Sequence, residues 1–455
     1  MITGICEKLR NKKVLLLGFG REGKSTYHFI RKYLPEMQFG IYDKNEIKDS
    51  LENATQHIGN SYQDILADYD MIIKSPGIVF NSKDNGDFKK LTSQTDLFLE
   101  FYRDQTIGIT GTKGKSTTSS LVYHVIQSTG RDARLVGNIG VPVFDVLEEI
   151  SDETLIVFEL SSHQLEHVTH SPHIGMHLNL YQEHLDHYGT FEKYAAAKEN
   201  IYKFMQKGDL LIYNKGFLNP GKHLKAASIT LSDRDDESDV KVKENHIYYK
   251  EQHIEIIDDE ILLKGHHNVY NIAAAYSVAN YLGVGNDSFY EAVKTFQPLP
   301  HRMEYVAVID GITFYNDSIS TICETTIQAA MSIRNIDTVI LGGMDRGIEY
   351  KPLVDFLLDS EIRNIILMPD TGYRIQTLIA NADAPGQDKN IVPVANVEEA
   401  VQKAKEITKK GMTCLFSPAA ASYGFFKNFE ERGEVFKKFV LSNEICNTLS
   451  AASSK

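Results

Sequence analysis

The segment GITGTKGKSTTSSL could bind phosphate groups, since it places glycines and a lysine between a predicted strand and a predicted helix. Glycines allow successive backbone N–H groups to face one anion, and a helix that begins near Ser116 adds the positive end of its dipole. Lys115 offers a positive charge to the outer phosphates, and the Ser116 hydroxyl is a suitable ligand for Mg²⁺. Ile109 stands where the longer motif has its first glycine, so the loop is a shortened GxxGKS. The pattern favours a nucleoside triphosphate site over a glycine-rich turn with a chance lysine.

A second glycine pattern, GFGREG, follows the first predicted strand and carries Gly18, Gly20 and Gly23 in G-x-G-x-x-G spacing. Asp43 comes twenty residues after Gly23, as does the acid that binds a ribose in dinucleotide-binding folds. Taken alone, this pattern indicates NAD binding, with a sizeable risk of a false match. The first loop does not name a reaction either, because motor ATPases, small-molecule kinases and GTPases also use phosphate loops.

Composition excludes several classes of protein. The chain has 455 residues, with 61 acidic and 48 basic side chains and a net charge of −13, which argues against a general nucleic-acid binder. Its four cysteines are too widely spaced for a zinc motif or a dense disulfide framework. There is no secretory signal pattern and no run approaching the ~20 apolar residues of a membrane span. We therefore expect a cytoplasmic enzyme that does not insert into membranes.

Apolar runs typical of strands alternate with helical patterns in three successive blocks, which predicts an α/β fold with parallel sheets. Helices are predicted near Ser25–Tyr33 and at Thr117–Ser128. Residues 215–263 are more polar, and we expect them to form a small antiparallel addition to the second block. The predicted strands are Val14–Leu17, Phe39–Tyr42, Met71–Lys74, Thr106–Thr110, Leu155–Glu159, Ile174–Leu180, Gly311–Tyr315, Thr338–Leu341, Asn364–Leu367 and Met412–Phe416.

The loop TGTKGKST resembles that of the Mur ligases and the related folylpolyglutamate synthetases. Further segments resemble the same family in the same order: GFGREG with Asp43, GNIG, ELSSHQLE, LNLYQEHLDHYGTFEKYAAAKENIY, GHHNVYNIAAA and HRMEY. The segments IIKSPGI and SPAAASYGFFKNFEERG are similar to the branch of the family that adds D-glutamate. Each segment is weak evidence, whereas the ordered set spans nearly the whole chain and is highly specific.

The resemblance implies a three-domain α/β ligase. A Rossmann-like N-terminal domain, residues 1–103, would bind the UDP moiety of the substrate. A central P-loop ATPase-type domain, residues 104–299, would bind ATP, and a Rossmann-like C-terminal domain, residues 300–455, would recruit the amino acid. The implied substrates are UDP-N-acetylmuramoyl-L-alanine and D-glutamate, joined through an acyl phosphate in peptidoglycan precursor synthesis. A monomer is expected.

The same resemblance assigns the catalytic and metal-binding residues. Glu159 ends a predicted strand, where α/β sheets place ligands, and a carboxylate is a hard ligand for Mg²⁺. His184 resembles the family histidine at a second Mg²⁺ site. Lys198 resembles the lysine that is carbamylated, since a neutral amine that adds CO₂ becomes an anionic oxygen ligand. Two metal sites are thus expected, from Ser116, Glu159, His184 and Lys198. The expected catalytic residues are Lys115, His184, Lys198 and Asp317.

Three groups of binding residues follow from the resemblance. Those for ATP are Gly111, Thr112, Lys113, Gly114, Lys115, Ser116, Thr117, Asn268, Asn271, His301 and Arg302. Those for the UDP substrate are Gly18, Phe19, Gly20, Arg21, Glu22, Gly23, Asp43, Lys44, Ser75, Gly77, Asn138 and Ser161. Those for the amino acid are Thr321, Arg346, Ser422, Tyr423 and Phe429. The D-glutamate branch commonly has a lysine where this chain has Ile319, so Arg346 or a neighbour is expected to bind the carboxylate instead.

Several alternatives remain open at this point. A sister ligase would add L-alanine, a diamino acid, or glutamate onto a folate. A P-loop kinase or ATPase would release phosphate without an amino acid. A protein that keeps only the nucleotide folds would bind without catalysis, and an NAD-dependent dehydrogenase would leave the second glycine loop without a role.

Overall fold

The computed structural model describes residues 1–48, 50–59, 61–80, 88–221, 224–235, 237–263, 265–382 and 388–452. The chain divides into two compact units. The first comprises Met1–Ile257 and Asn268–Phe296, and the second comprises Asp258–His267 and the chain from Gln297 onward. In the described part of the chain, no helix has both the length and the apolar character needed to cross a bilayer.

The first unit begins with a five-stranded parallel sheet in the order β3-β2-β1-β4-β5. Its central strand, VLLL, is buried along its whole length, as a parallel strand covered on both faces should be. The short edge strands β3 and β5 were not predicted, because neither carries a run of apolar residues. The strands are β1 Val14–Leu17, β2 Phe39–Asp43, β3 Ala54–Ile58, β4 Met71–Lys74 and β5 Leu91–Thr92, and the helices are α1 Ile2–Leu9, α2 Arg21–Tyr33 and α3 Gln94–Tyr102.

A nine-stranded sheet follows, in the order β14-β13-β12-β11-β10-β9-β6-β8-β7. Strands β8 and β7 lie on one side of β6, and β9 lies on the other. The carboxyl end of β6 is therefore a topological switch point, where α/β sheets bind ligands. The strands are β6 Thr106–Thr110, β7 Ala133–Gly137, β8 Leu155–Glu159, β9 Ile174–His177, β10 Leu210–Asn214, β11 Ala227–Ser232, β12 Val240–Lys243, β13 His246–Tyr249 and β14 Gln252–Glu255. The helices are α4 Lys115–Ser128, α5 Ser162–Leu165, α6 Leu185–Tyr188, α7 Phe191–Lys203, α8 His266–Tyr281 and α9 Asn286–Thr295.

The prediction for residues 215–263 is partly wrong. The segment does form strands, but β11 pairs in parallel with both β10 and β12, and antiparallel pairing begins with β12 and β13. It therefore extends the nine-stranded sheet instead of forming a separate antiparallel addition. Whether two neighbouring strands pair in parallel or antiparallel depends on the path of the chain that connects them. The residue pattern of a short strand does not indicate this path. Residues 222–223 and 236 lie outside the described residues.

The second unit contains a six-stranded sheet in the order β15-β16-β20-β17-β18-β19. An antiparallel hairpin, β15–β16, adds to strands that otherwise pair in parallel. Its strands are β15 Glu304–Ile309, β16 Ile312–Asn316, β17 Ile336–Leu341, β18 Asn364–Leu367, β19 Asn390–Pro393 and β20 Thr413–Phe416. Its helices are α10 Cys323–Ser332, α11 Lys351–Asp359, α12 Thr371–Ala380, α13 Val397–Ile407 and α14 Phe429–Ala452. The predicted α/β class is confirmed, while the predicted domain boundaries stay a prediction.

Candidate active site

The phosphate loop joins the buried strand β6 to helix α4, which begins at Lys115. Gly114 has a φ of +82°, and a Cβ there would lie 2.5 Å from Oδ1 of Asn271. Both the backbone conformation and the close packing therefore require glycine at this position. The Lys115 Nζ donates to the carbonyl oxygens of Gly111, at 3.0 Å, and Thr112, at 2.9 Å. The loop thus holds its lysine against the start of α4, where the helix dipole favours an anion.

Two residues that follow strand β9 hold the phosphate loop in place. The Asn179 side chain, which follows β9, accepts a 2.8 Å hydrogen bond from the Lys113 backbone N–H and donates a 3.0 Å bond to its carbonyl. The Lys113 Nζ lies 2.6 Å from the Glu183 carboxylate. Neither Asn179 nor Glu183 was predicted from sequence, although their position after a strand adjacent to the loop was a usable signal.

The predicted pair Asn268 and Asn271 lies beside the same loop. Both side chains are buried on α8, and Asn271 Nδ2 donates to Asn268 Oδ1 at 3.0 Å. The Thr118 hydroxyl, on the first turns of α4, donates to Asn271 Oδ1 at 3.4 Å. The structure therefore places this asparagine pair beside the phosphate loop, while its role in ATP binding stays a prediction.

Glu159 ends β8 with its side chain fully buried. Its Oε1 accepts a 2.7 Å hydrogen bond from Asn138, whereas its Oε2 has no hydrogen-bond partner among the described residues. A buried, half-satisfied carboxylate suits a cation, because an unpaired charge in the interior is costly. No three His, Cys, Asp or Glu side chains in the described ranges are grouped to hold a metal alone. A magnesium ion fits such a site, since it usually takes one or two carboxylates plus phosphate oxygens and water.

Lys198 is buried on α7, and its Nζ donates to the Gly111 carbonyl at 2.8 Å. Burial, and then the charge of Lys115, hold the pKa of the Lys198 ammonium well below its ordinary value. The Glu159 and Glu183 carboxylates oppose that shift, so both acids lie within electrostatic range of Lys198. The structure thus gathers Lys115, Glu159 and Lys198 at one end of the central sheet.

His184 is more exposed than the other predicted metal ligands. It has a φ of +56° and is the N-cap residue of α6, with 48% of its side chain accessible to solvent. Its ring centre lies 6.0 Å from that of Tyr194, and the Lys198 Nζ lies 5.0 Å from the same Tyr194 ring. Tyr194, which was not predicted, therefore lies close to both His184 and Lys198.

A cavity of about 410 Å³ lies next to this cluster, between the first two sheets. It is lined by every predicted residue of the UDP site except Phe19 and Gly23, and additionally by Pro142 and Gln164, among others. Phe19 packs in the core, and its backbone N–H donates to the Asp43 carboxylate at 2.8 Å. Asp43 therefore shapes the glycine loop as well as lining the cavity.

Glu22 is a buried acid in this cavity wall. Burial raises the pKa of its carboxyl, while a 2.8 Å hydrogen bond from Gln164 opposes the shift. The Glu22 carboxyl is therefore harder to ionise than an exposed glutamic acid. Arg21 donates to the Gly140 carbonyl at 2.6 Å and adds a positive charge to the same wall.

The second unit holds the remaining predicted residues in several places. Arg346 is exposed and donates to the Thr321 carbonyl at 3.1 Å, which brings two predicted amino-acid ligands together. Ser422 lines a separate cavity of about 180 Å³ that includes Arg432, and Tyr423 is 60% exposed. Thr321, Arg346, Tyr423 and Phe429 do not line that cavity. The assignment of these residues to an amino-acid site stays a prediction.

Asp317, His301 and Arg302 lie near the start of the second unit's sheet. Asp317 is buried and accepts hydrogen bonds from the hydroxyls of Ser320, at 2.6 Å, and Ser417, at 2.7 Å. Burial raises the pKa of the Asp317 carboxyl to about 6. The Met303 N–H donates a further bond at 3.1 Å, and the His301 ring lies 6.2 Å from that of Phe429.

Comparison with known proteins identifies the family. Residues 109–279 match the Mur ligase middle domain. The UDP-N-acetylmuramoylalanine–D-glutamate ligase of Streptococcus agalactiae is 33% identical, over 94% of this chain and 96% of the relative. The ligase of the same name from Caldanaerobacter subterraneus is 33% identical, over 95% of this chain and 99% of the relative.

Solved structures agree on the fold. UDP-N-acetylmuramate–alanine ligase MurC from Thermotoga maritima superimposes with a TM-score of 0.56 at 17% identity, over 95% of this chain and 100% of that chain. MurF ligase from the same organism, in complex with ADP, gives 0.55 at 16% identity, over 96% and 97%. At such low identity these structures show the fold alone. The full-length likeness to the curated relatives goes further: this chain belongs to the Mur ligase family and, within it, to the UDP-N-acetylmuramoylalanine–D-glutamate ligases.

Proposed function

We propose that this chain uses ATP to join D-glutamate to UDP-N-acetylmuramoyl-L-alanine, releasing ADP and phosphate, in the synthesis of peptidoglycan precursors. The observation that carries the proposal is the position of Asn138. Its side chain lines the 410 Å³ cavity and also donates to Glu159, so the substrate cavity adjoins the buried carboxylate. A carboxyl group bound in the cavity can thereby approach the γ-phosphate of a nucleotide on the loop. The relatives' names support the choice of substrates.

The first chemical step is transfer of the γ-phosphoryl group to the substrate carboxylate. Two anions must approach, so the chain has to neutralise charge and fix the orientation of both groups. Lys115 and the first N–H groups of α4 would bind the phosphates. Asn138 would orient the part of the substrate that lies in the cavity. The amine of the incoming amino acid then attacks the acyl phosphate, and phosphate leaves.

Magnesium would be held by groups already at this end of the sheet. Ser116 and Glu159 suit one ion, and His184 with a carbamylated Lys198 suits a second. When bound, the ions supply positive charge to the phosphates during transfer. Carbamylation joins the carbon of CO₂ to the Lys198 Nζ and releases one proton, which converts a buried base into an anionic ligand. The buried Lys198, whose pKa is held low, supports this modification because a neutral amine is the reactive form.

The amino acid would be bound in the second unit. Arg346 and Thr321, which are joined by a hydrogen bond, offer a cation and a hydroxyl for a carboxylate. Ile319 offers no charge, so Arg346 is proposed as the main carboxylate ligand. Cytoplasmic location and a monomeric state remain predictions, and size-exclusion chromatography with light scattering would test the second.

A phosphate-release assay with UDP-N-acetylmuramoyl-L-alanine and a panel of amino acids tests the proposed reaction. Phosphate and the ligated product should form with D-glutamate, and much less with L-alanine, L-lysine or meso-diaminopimelate. Release with L-lysine but not with D-glutamate would assign a sister activity. Equal release without any amino acid would favour a kinase or ATPase.

A second experiment tests the role of Lys198. Lys198→Ala should lose activity, and wild-type activity should depend on bicarbonate. Normal activity in this variant, with no effect of bicarbonate on the wild type, would exclude the modification while leaving the ligase reaction in place.

A further inference from the structure

Three adjacent strands near Lys198 end in buried side chains whose polar atoms are not all hydrogen-bonded within the described residues. Thr110 ends β6, Glu159 ends β8 and His177 ends β9. All three side chains are buried, with 0%, 0% and 1% of their surface exposed. Within the part of the chain that is described, the Thr110 hydroxyl, Glu159 Oε2 and both His177 ring nitrogens form no hydrogen bond outside their own residue. Buried groups of this kind normally find partners, so the cluster is incomplete as it stands.

Helix α7 covers the face of the sheet to which His177 and Thr110 belong. A Cβ at Gly175 on β9 would lie 2.6 Å from Met205 and 3.3 Å from Ile201 Cγ1, so Gly175 faces α7. Side chains alternate along a strand, and His177 therefore faces α7 as well. Lys198 precedes Ile201 on α7 by three residues, which is about one helical turn. Lys198 is therefore displaced from Ile201 toward the end of β9 at which His177 lies. Thr110 is the direct partner of His177 in the sheet and shares its face.

The charges around His177 agree with this placement. Burial, and next the positive charge of Lys198, lower the pKa of the His177 ring to about 3. A neutral imidazole has one N–H donor and one acceptor nitrogen. His177 was not predicted to be a site residue, because it lies inside the predicted strand Ile174–Leu180.

We infer that His177 is a positioning residue for Lys198, and that its ring N–H donates a hydrogen bond to an oxygen of the carbamate formed on the Lys198 Nζ. The Thr110 hydroxyl is the second donor on the same face. This inference rests on the proposed function, and specifically on the modification of Lys198.

The change in hydrogen bonding follows from the chemistry of the modification. Carbamylation replaces one N–H of the amine by an N–C bond, and the displaced proton goes to solvent. The remaining N–H still donates to Gly111, while two new oxygens share a negative charge and need donors or a cation. His177 and Thr110 are uncharged donors, so they can bind one side of the carbamate and leave the other for a metal.

Carbon-13 NMR of the full chain, equilibrated with ¹³C-bicarbonate and without nucleotide or substrate, measures this modification directly. The signal absent from Lys198→Ala defines the carbamate. Removing one hydrogen bond to a charged group weakens an equilibrium by about 10-fold to 100-fold. His177→Leu should therefore require at least about tenfold more bicarbonate for the same signal. His177→Gln or His177→Asn, which keep an N–H donor, should recover most of it. Thr110→Val should give a smaller loss in the same direction.

Met205→Leu is the matched control, because Met205 lies at the same helix–strand interface but has no hydrogen-bonding group. It should leave the carbamate signal unchanged. Wild-type bicarbonate dependence in His177→Leu would overturn the inference, as would equal losses in the Leu, Gln and Asn variants. A wild type with no Lys198-dependent signal would also overturn it. Product formation with D-glutamate, measured separately, would in each case still establish the ligase reaction.

Discussion

Two buried polar clusters in this chain are built differently. The phosphate-loop cluster comprises Thr110, Glu159, His177 and Lys198, and the Asp317 cluster comprises Asp317, Ser320 and Ser417. In the first, the Thr110 hydroxyl, Glu159 Oε2 and both His177 ring nitrogens lack partners within the described residues. In the second, both Asp317 carboxylate oxygens accept hydrogen bonds, at 2.6 to 3.1 Å.

The first cluster is proposed to bind ligands, whereas the second satisfies its own hydrogen bonds, and a catalytic role of Asp317 stays a prediction. A buried network that satisfies its own hydrogen bonds makes its unit rigid and needs no ligand. Burying polar atoms without hydrogen-bond partners costs folding free energy, and a bound ion, phosphate or carbamate can remove this cost. We therefore expect substitutions in the phosphate-loop cluster and its lysines to affect catalysis first, and substitutions in the Asp317 cluster to affect stability first.

Lys115→Ala should have the largest effect on turnover. Loss of the charge at the outer phosphates should lower kcat by about 10³-fold, the upper range for removing one group that stabilises a transition state. Thermal unfolding should change little, since the Lys115 Nζ donates to carbonyls of its own loop. Phosphate release and calorimetry measure the two effects. Lys32→Ala, an exposed lysine paired with Glu148, is the control and should retain activity.

Glu159→Gln should lower kcat by about 10²-fold, because an amide is a weaker ligand for Mg²⁺ than a carboxylate. Part of the loss should be recovered as Mg²⁺ is raised, and a magnesium titration of initial rates measures this. Glu148→Gln alters an exposed carboxylate of the same unit and should leave the titration unchanged. A Glu159→Gln variant with the wild-type magnesium requirement would remove Glu159 from the proposed metal site.

Asp317→Asn should change the pH dependence of stability. The pKa of Asp317 is about 6 in the folded chain and about 3.9 in an unfolded one, so the folded state binds the extra proton between these values. The contribution of Asp317 is therefore most favourable below about pH 4 and is lost as the pH rises to about 6, by roughly 3 kcal/mol.

Chemical denaturation of the wild type and Asp317→Asn from pH 4 to 7 measures this difference. The wild type should lose about 2 kcal/mol relative to the variant across that range, because the unfolded carboxyl is already partly ionised at pH 4. Asp355→Asn, an exposed acid paired with Lys351, should show no such trend. Parallel pH profiles for the wild type and Asp317→Asn would show that Asp317 is ionised throughout, contrary to its burial.

Arg346→Ala should have the smallest effect. The loss of one charge-assisted hydrogen bond to D-glutamate should raise its KM by about tenfold, with kcat nearly unchanged. The guanidinium is exposed, so the free energy of unfolding should not change measurably. Initial rates at varied D-glutamate measure the effect, with Arg334→Ala as an exposed control. An unchanged KM would transfer carboxylate binding to another residue.

Much of the architecture could be predicted from local pattern. Buried parallel strands such as Val14–Leu17 and Asn364–Leu367 are continuous apolar runs, and the structure has them at the predicted bounds. Helix α4 begins two residues before the predicted Thr117, since the loop glycine leads directly into it. Edge strands such as β3 and β19 were missed, because a half-exposed strand of mixed residues has little apolar signal.

The phosphate loop and most of the residues that line the 410 Å³ cavity were predicted from sequence, although their roles in binding stay predictions. Each is a contiguous segment or a set of segments whose glycines have a local conformational role. The residues around them were harder to find. His177, Asn179 and Tyr194 have ordinary sequence contexts, and their importance depends on β9 and α7 lying next to the loop.

The sequence by itself determined the local chemistry of this protein: which turns can face a phosphate, which strands are apolar enough to be buried, and which family the ordered segments resemble. The tertiary structure decided which polar groups are removed from water together. Burial and the proximity of Lys115 lower the pKa of Lys198, and the His177 ring nitrogens find no hydrogen-bond partner among the residues that the structure describes. Both properties arise from residues distant in sequence that meet at the ends of parallel strands, where desolvation and pairing are set by packing.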